Sequence, residues 1–226
     1  MLLLYERFMK AVIFGTNDLA SLLYYHLEKH NPDIIVSAFI VNMDYRQEDV
    51  FCGLPVKNAE EMTHDFPPEE YCVYICVGYK NLNRGRRTVY EGIKKMGYEV
   101  LNFIHPSAQV DAAKMGEGNL IMQNAVIDPH TEIGNCNIFL AHSMLAHHSI
   151  VGDFNFFSTT CSIAGRVTIG DECFFAVHSS TRDKISIGNR SLVGINASVT
   201  ETIPDETIVA PVKGQTLIGK SRLAVL

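Results

Sequence analysis

The first hundred residues alternate between short, continuous apolar runs and segments with helical spacing. Apolar runs occupy residues 10–14, Ile34–Val41 and residues 71–77, and residues 19–29 place leucines on one helical face between the first two. Short apolar strands that alternate with helices indicate a parallel sheet with helices on its faces. The same pattern predicts a short helix at residues 59–62, a helix at residues 86–96 that ends at Gly97, and a last strand at residues 99–103.

The second half of the chain follows a different period. Five apolar–glycine pairs recur at every eighteenth position, and division by three gives an apolar residue at every sixth position. A helix cannot keep one face at a period of six, and simple strand alternation does not need a glycine at every eighteenth position. The glycines are Gly116, Gly134, Gly152, Gly170 and Gly188; the sixth positions are Ile121, Ile127, Ile133, Phe139, Leu145, Val151, Phe157, Ile163, Ile169, Phe175, Ile187, Val193 and Val199, with Thr181 as a polar exception; a second, small-residue series is Ala125, Ser143, Cys161, Ser179 and Ala197.

A triangular coil explains this repeat. Each hexad forms one flat side, its apolar residue points inward, and glycine or small residues fit the tight corners. About five such coils stack, with parallel strands running from coil to coil. The alternative, an ordinary β-sandwich, gives no reason for the regular spacing of the glycines. We predict an α/β Rossmann-like domain with a parallel sheet at residues 1–104, followed by a parallel β-helix of hexapeptide repeats at residues 105–226.

Composition narrows the class of protein and of partner. The 226 residues are 47% apolar, which excludes a disordered chain, and the net charge of −6 comes without a Lys/Arg-rich run, so no nucleic-acid partner is expected. No apolar run approaches the roughly 18 residues that cross a bilayer, and the residues before Met9 do not have the pattern of a signal peptide. The six cysteines form no C-x-x-C pair. We expect them to be reduced and the protein to be cytoplasmic, with no membrane partner.

Motifs in both halves resemble one family of enzymes. The repeat region resembles the left-handed β-helix hexapeptide-repeat acyltransferases, through A-H-H-S-I-V-G-D at 146–153 and G-R-V-T-I-G-D at 165–171. The first half resembles the nucleotide-sugar domain of one branch, the NeuD/PglD-like sugar acetyltransferases, through K-A-V-I-F-G-T-N-D-L-A at 10–20, G-L-P-V at 53–56 and I-H-P-S-A at 104–108. The resemblance implies acetyl-CoA as co-substrate, a nucleotide-activated sugar as acceptor, and a homotrimer with acetyl-CoA between neighbouring β-helices.

The resemblance also implies the catalytic roles. His147 stands at the family's catalytic-histidine position and is the expected general base. Gly165 lies one full coil further on, so its amide is the expected donor to the acetyl oxygen; the plainer interpretation is that Gly165 only serves a corner. His148 stands where many relatives have an acidic residue. Either another carboxylate, such as Asp153, orients His147, or His148 itself takes the proton.

Ligand contacts follow from the same resemblance. The loop after the first strand lacks the full G-x-G-x-x-G pattern, so it is not a dinucleotide site, although a helix N-terminus there can receive a phosphate. Arg86 and Arg87 are expected to be solvated helix residues. Expected cofactor contacts are Phe156, Gly165, Ala176, Gly194 and Lys213; expected nucleotide-sugar contacts, at the carboxyl ends of the strands, are Gly15, Thr16, Asn17, Asn42, Asp44, Gly78 and Tyr79.

Several functions remain open on the sequence. The favoured one is N-acetylation of a UDP- or dTDP-linked 4-amino-4,6-dideoxy sugar, for polysaccharide or glycan synthesis. The alternatives are O-acetylation of a sugar such as sialic acid, and a β-helix that binds a nucleotide sugar without turnover. His142, His147 and His148 lie close together in the sequence, but no cysteine or carboxylate completes a usual ligand set, so no metal is expected.

Overall fold

The N-terminal half is a sheet flanked by helices, and residues 8–212 of the chain are described in this computed structural model. Its first helix begins at a side-chain cap, where Asn17 Oδ1 accepts from the Ala20 N–H at 3.1 Å. Its last helix is followed, as predicted, by Gly97 in the left-handed region with φ of 91°. The elements are β1 (Met9–Phe14), α1 (Asp18–His30), β2 (Ile34–Val41), β3 (Val50–Phe51), β4 (Leu54–Asn58), α2 (Met62–Asp65), β5 (Tyr71–Ile75) and α3 (Arg84–Lys95), with single 3-10 turns at Met43–Tyr45 and Ala59–Glu61.

The sheet has the strand order β3–β4–β2–β1–β5. Strands β4, β2, β1 and β5 are parallel, as predicted, whereas the short edge strand β3 is antiparallel to β4. Successive residues of β1 enter different cores: Ile13 packs with α1, and Val12 packs with Ile93 of α3. The predicted strand at residues 99–103 does not form as one element, because only an isolated bridge at Val100 joins it to β5 and Phe103 already pairs with the β-helix.

The second half is a parallel β-helix with three faces. Every strand in it is two residues long, and most strands pair with the equivalent strand of the next coil. The predicted fold class is confirmed. The first face holds β7 (Gln109–Val110), β10 (Val126–Ile127), β13 (Met144–Leu145), β16 (Ser162–Ile163), β19 (Ser180–Thr181) and β22 (Ser198–Val199); the second holds β8 (Lys114–Met115), β11 (Glu132–Ile133), β14 (Ile150–Val151), β17 (Thr168–Ile169) and β20 (Ser186–Ile187); the third holds β6 (Phe103–Ile104), β9 (Leu120–Ile121), β12 (Ile138–Phe139), β15 (Phe156–Phe157), β18 (Phe174–Phe175), β21 (Leu192–Val193) and β23 (Ile208–Val209).

The interior of the β-helix is the set of sixth-residue positions that the sequence marked. All thirteen apolar members are at most 4% exposed. Phe139, Phe157 and Phe175 stack nearly parallel, with ring centroids 4.4 and 5.0 Å apart. The polar exception, Thr181, has a local partner, since its Oγ1 accepts from the Ala164 N–H at 3.0 Å.

Glycine recurs once in every coil because neighbouring coils approach closely. A Cβ added to Gly134 would lie 2.8 Å from the carbonyl oxygen of Gly152, and one added to Gly152 would lie 3.0 Å from that of Gly170. The left-handed backbone of the corners is taken instead by other residues, such as His148 with φ of 59°. Glycine therefore lies at the corners as expected, but the reason is the close approach of neighbouring coils and not a need for left-handed backbone.

The N-terminal domain covers the third face of the β-helix. Outward-facing Leu120 and Ile138 join one apolar cluster with Phe39 of the sheet. On the other two faces the outward side chains are exposed or half-buried: Met144 on the first face is 38% exposed and Ile150 on the second is 49% exposed. The corner where the first and second faces meet therefore lies opposite the N-terminal domain.

Candidate functional site

His147 lies at the corner between the first and second faces, just after β13. Its side chain is exposed and its ring lies against the next coil: a Cβ added to Gly165 would be 2.7 Å from His147 Cε1 and 2.9 Å from Nε2. The His147 carbonyl accepts from the Arg166 N–H at 3.0 Å, which ties the two coils together at this point. Within residues 8–212 the Gly165 N–H makes no hydrogen bond. The structure thus brings the expected base beside an amide that is free to donate.

His148 adjoins His147. Their Nδ1 atoms are 3.1 Å apart, with the rings at 88°, so one ring donates and the other accepts. Partial desolvation, together with the charge of Arg166 and the neighbouring rings of His130 and His147, lowers the pKa of His148. A lowered pKa favours the neutral form of His148, which has a lone pair with which to accept.

Asp153 does not supply the missing carboxylate. It lies at the next corner, where its Oδ1 accepts from the Asn135 N–H at 2.6 Å and from Asn135 Nδ2 at 3.2 Å. Asp171 repeats the arrangement one coil further, accepting from the Asp153 N–H at 2.9 Å. Asp153 belongs to a ladder that joins coils, and the group that the structure places on the His147 ring is His148.

The loops after β1 and β5 meet at the carboxyl edge of the sheet. Gly15, with φ of 127°, approaches Cys76 so closely that a Cβ would lie 2.6 Å from the Cys76 carbonyl oxygen. Asn17 Nδ2 donates to the same oxygen at 2.7 Å, while its Oδ1 caps α1. Thr16 lies between them and is half-buried. Because both ends of the Asn17 amide are occupied, this side chain builds the loop.

The remaining expected nucleotide-sugar residues lie along the same edge. Asn42 and Asp44 follow β2, and both are exposed. Gly78 and Tyr79 follow β5, with Tyr79 55% exposed. Because β2, β1 and β5 are neighbours in the sheet, these loops lie side by side along its carboxyl edge, a region that we call the crevice.

An aromatic cluster forms the floor of this crevice. The Tyr79 ring contacts Phe156 and Phe174, with centroids 5.1 and 4.8 Å away. Phe156 is only 6% exposed and sits in the interdomain core, on the face farthest from His147. The expectation of a cofactor contact at Phe156 is not supported, because the N-terminal domain already covers its ring.

Two expected cofactor residues occupy the corner between the third and first faces. Ala176 and Gly194 are one repeat apart in the sequence and therefore in register on successive coils. Ala176 is 6% exposed, and a Cβ added to Gly194 would lie 3.0 Å from Pro211 Cδ. They border the first face on the side opposite His147. Lys213 lies outside the described residues.

The expectation of a solvated side chain is wrong for Arg86. It is fully buried, and its guanidinium donates to five carbonyl oxygens at 2.7–3.2 Å. Burial lowers its pKa to about 10. The sequence does contain a signal for this burial: residue 86 lies two helical turns before Ile93, so both share the buried face of α3. The five acceptors are Val77 and Gly78 of the crevice loop and Cys136, Phe154 and Asn155 of the β-helix.

Arg87 also connects the two domains. Its Nε donates to Glu172 at 2.6 Å and its guanidinium reaches Asp171 at 3.0 Å. The expectation of a solvated side chain is thus wrong for Arg87 as well. Together the two arginines hold the loop that carries Gly78 and Tyr79 against one corner of the β-helix.

The chain is similar to solved structures of acetyltransferases. No protein-family model and no curated protein sequence matches the chain. Solved structures do: the acetyltransferase domain of PglB from Neisseria gonorrhoeae (TM-score 0.76, 22% identity, 90% of this chain and 99% of that one) and WeeI from Acinetobacter baumannii AYE (0.69, 18%, 88% and 95%). A third is GDP-perosamine N-acetyltransferase from Caulobacter crescentus, as a histidine-to-alanine mutant with CoA and GDP-perosamine (0.78, 22%, 91% and 97%).

The chain has the fold of these acetyltransferases. The resemblance to PglD/NeuD-like sugar acetyltransferases is confirmed as a structural match. None of the helices within residues 8–212 is both long and apolar enough to span a bilayer.

In this acetyltransferase fold, a single chain keeps the two halves of the candidate site apart. The crevice with Tyr79 lies over the third face, which the N-terminal domain covers. His147 and Gly165 lie at the corner opposite that face. His142, the third histidine of the stretch, is at another corner, beside Asn124. The three imidazoles therefore do not converge.

Proposed function

We propose that the chain is an acetyl-CoA-dependent N-acetyltransferase that acts on a nucleotide-linked amino sugar. The observation that carries the proposal is the exposed His147 ring against the Gly165 backbone of the next coil. Its support is the shared fold: the PglB acetyltransferase domain has been solved with acetyl coenzyme A, and the perosamine enzyme with CoA and GDP-perosamine.

In the proposed reaction, His147 acts as the base and Gly165 as a donor. The sugar amine attacks the thioester carbonyl carbon, a C–N bond forms, and the amine proton passes to His147 Nε2. The Gly165 N–H donates to the carbonyl oxygen as it becomes negative. Collapse of the intermediate breaks the C–S bond, and the thiolate takes the proton from His147. The products are the N-acetylated nucleotide sugar and coenzyme A.

His148 takes the part that a carboxylate has in many relatives. With His148 neutral, its Nδ1 lone pair accepts from the Nδ1–H of His147 across 3.1 Å. That hydrogen bond selects the tautomer of His147 whose Nε2 is free to take the substrate proton.

The complete site lies between chains. The N-terminal domain covers the third face of the β-helix in its own chain, whereas the first and second faces are open. The crevice of one chain can therefore reach a His147 corner only on a neighbouring chain. Cyclic packing of three prisms brings each corner to the next chain's crevice and leaves the first face, with Ser162 and Ser180, along the groove for acetyl-CoA. We propose the homotrimer on this ground.

Two exposed side chains of the crevice suit the base of a nucleotide. Tyr79 offers a half-exposed ring for stacking on a base, and Asn42 both donates and accepts at a base edge. We propose a UDP- or dTDP-linked 4-amino-4,6-dideoxy sugar as the acceptor. A purine nucleotide such as the GDP sugar of the perosamine enzyme is the comparison substrate.

Thiol release from acetyl-CoA tests the proposal. The untagged protein is incubated with acetyl-CoA and UDP-, dTDP- or GDP-linked 4-amino sugars, or with sialic acid. We expect release with a 4-amino sugar nucleotide, and a fall of about 10²–10⁴-fold in His147→Ala. His142→Ala, an exposed histidine at another corner, is the matched control and keeps the activity. Release with sialic acid alone would establish O-acetylation. No release with any acceptor would favour a protein that binds a nucleotide sugar without turnover. Loss of activity in His148→Ala, with activity kept in His147→Ala, would make His148 the general base and His147 its support.

A further inference from the structure

We propose that His26, His30 and His105 form a binding site for Zn²⁺ where α1 meets the first coil of the β-helix. One ring nitrogen from each histidine lies within 4.8 Å of those of the other two. Nothing in the proposed acetyl transfer uses these residues. The site depends on the fold alone, so its failure and that of the proposed reaction are independent.

The three rings converge from two parts of the chain. His26 and His30 are four residues apart on α1, which places both on one face of the helix. His105 follows β6, the first strand of the β-helix. The ring centroids of His105 lie 4.6 Å from His26 and 4.9 Å from His30, and those of His26 and His30 are 5.9 Å apart.

An unsatisfied nitrogen points to a missing partner. His26 is 8% exposed, and its Nδ1 is buried with no hydrogen-bond partner among residues 8–212. Leaving a buried polar atom unpaired is costly, and native proteins rarely do so without a bound water or ion. A metal ion bound at this nitrogen would give it the missing partner.

His105 has a second contact of the kind that orients metal-bound imidazoles. Its Nδ1 lies 2.9 Å from Ser107 Oγ and 3.1 Å from the Ser107 N–H, which leaves Nε2 as the nitrogen available to a metal. Nδ1 accepts from the Ser107 N–H in this structure, so metal on Nε2 requires the ring proton to move to Nδ1, where the bond from the Ser107 N–H is replaced by one from Nδ1–H to Ser107 Oγ. Such outer contacts fix the ring and tautomer of a ligand, and their loss costs about 10–100-fold in metal affinity.

The donor set favours zinc with one open position. Zinc binds imidazole nitrogen at about 2.0–2.1 Å, which sets tetrahedral nitrogens about 3.4 Å apart. Closing from the present separations needs ring movements of about 1 Å, and half-buried His30 at the end of α1 can make them. With three neutral imidazoles as ligands, the fourth position goes to water on the His30 side. The ion would join the end of α1 to the β-helix.

Zinc binding to the untagged chain tests the site. Chelator-treated protein is dialysed against ZnCl₂, the bound metal is counted, and the affinity is measured by calorimetry. We expect about one Zn²⁺ per chain, a melting midpoint that rises on the order of 5 °C with saturating metal, and reversal by EDTA. His30→Ala should weaken binding at least about tenfold and Ser107→Ala about 10–100-fold.

The control is His64→Ala, whose side chain is 91% exposed and far along the chain. It should bind like the wild type. His30→Ala removes a half-buried side chain at a helix end, so its circular dichroism and metal-free melting midpoint should match the wild type and show that it folds. The proposal is overturned if the wild type binds no zinc, if His30→Ala binds it equally well, or if binding is lost in His148→Ala instead.

Discussion

A methyl group at position 165 provides a sharp test of the proposed catalytic geometry. The backbone of Gly165 is not in the left-handed region, so alanine meets no conformational barrier there. The new Cβ would lie 2.7 Å from His147 Cε1, where an ordinary contact is about 3.6 Å. The imidazole must therefore move by about 1 Å. Because His147 is exposed, its ring can do so at a rotamer cost of about 0.5–1.5 kcal/mol.

Activity should respond much more strongly than stability. A misplacement of about 1 Å at a reacting group costs about 10²-fold in rate, which corresponds to about 2.7 kcal/mol of transition-state stabilisation. We expect kcat/KM of Gly165→Ala to fall by about that factor while the melting midpoint changes by no more than a few degrees. The change should appear mainly in kcat, since neither ligand loses a direct binding contact.

The assay is thiol release under saturating acetyl-CoA, with Gly92→Ala as the matched control. A Cβ at Gly92, on α3, meets nothing within 4 Å, so this variant should keep the wild-type rate. Wild-type kcat/KM in Gly165→Ala would refute the placement of the reaction at this corner. A large fall in melting midpoint would show instead that position 165 matters for coil stacking.

Three further predictions follow from particular contacts. The pKa of His148, measured by NMR, should lie below the ordinary value of about 6.5. The substitution His148→Glu should move the acidic limb of the rate–pH profile to higher pH, because a carboxylate stabilises the charged form of the catalytic base. An unmoved limb would show that residue 148 does not act on that base. Arg86→Met should lower the free energy of unfolding by about 3–5 kcal/mol in urea, because five buried carbonyls lose their donor; a change under about 1 kcal/mol would show that the guanidinium is dispensable. The variants His147→Ala and Gly15→Val should each be inactive alone, but an equal mixture should regain about a quarter of the wild-type activity after reassembly. In the mixture, one site in four combines an intact crevice from one chain with an intact His147 corner from its neighbour. No recovery would place the whole site in one chain.

The sequence by itself determined the architecture of the β-helix. The repeat is visible within each coil, because every side needs an apolar residue that points inward. Each coil also needs a position without a Cβ, such as Gly134, where it approaches the next coil. The pairing of His147 with Gly165 followed from the same arithmetic, because residues one repeat apart stack in successive coils. Caps such as Asn17 and Gly97 are equally local, and their positions could be predicted from neighbouring residues.

Tertiary structure decided which side chains meet across long separations. The burial of Arg86, the capture of Phe156 in the interdomain core, and the convergence of His26 with His105 all result from docking the N-terminal domain on the third face. No periodic signal encodes that docking, because it depends on shape and on partners from distant segments. The same docking leaves the His147 corner on the far side from the crevice of its own chain, and this separation is the reason for proposing that the site needs a second chain.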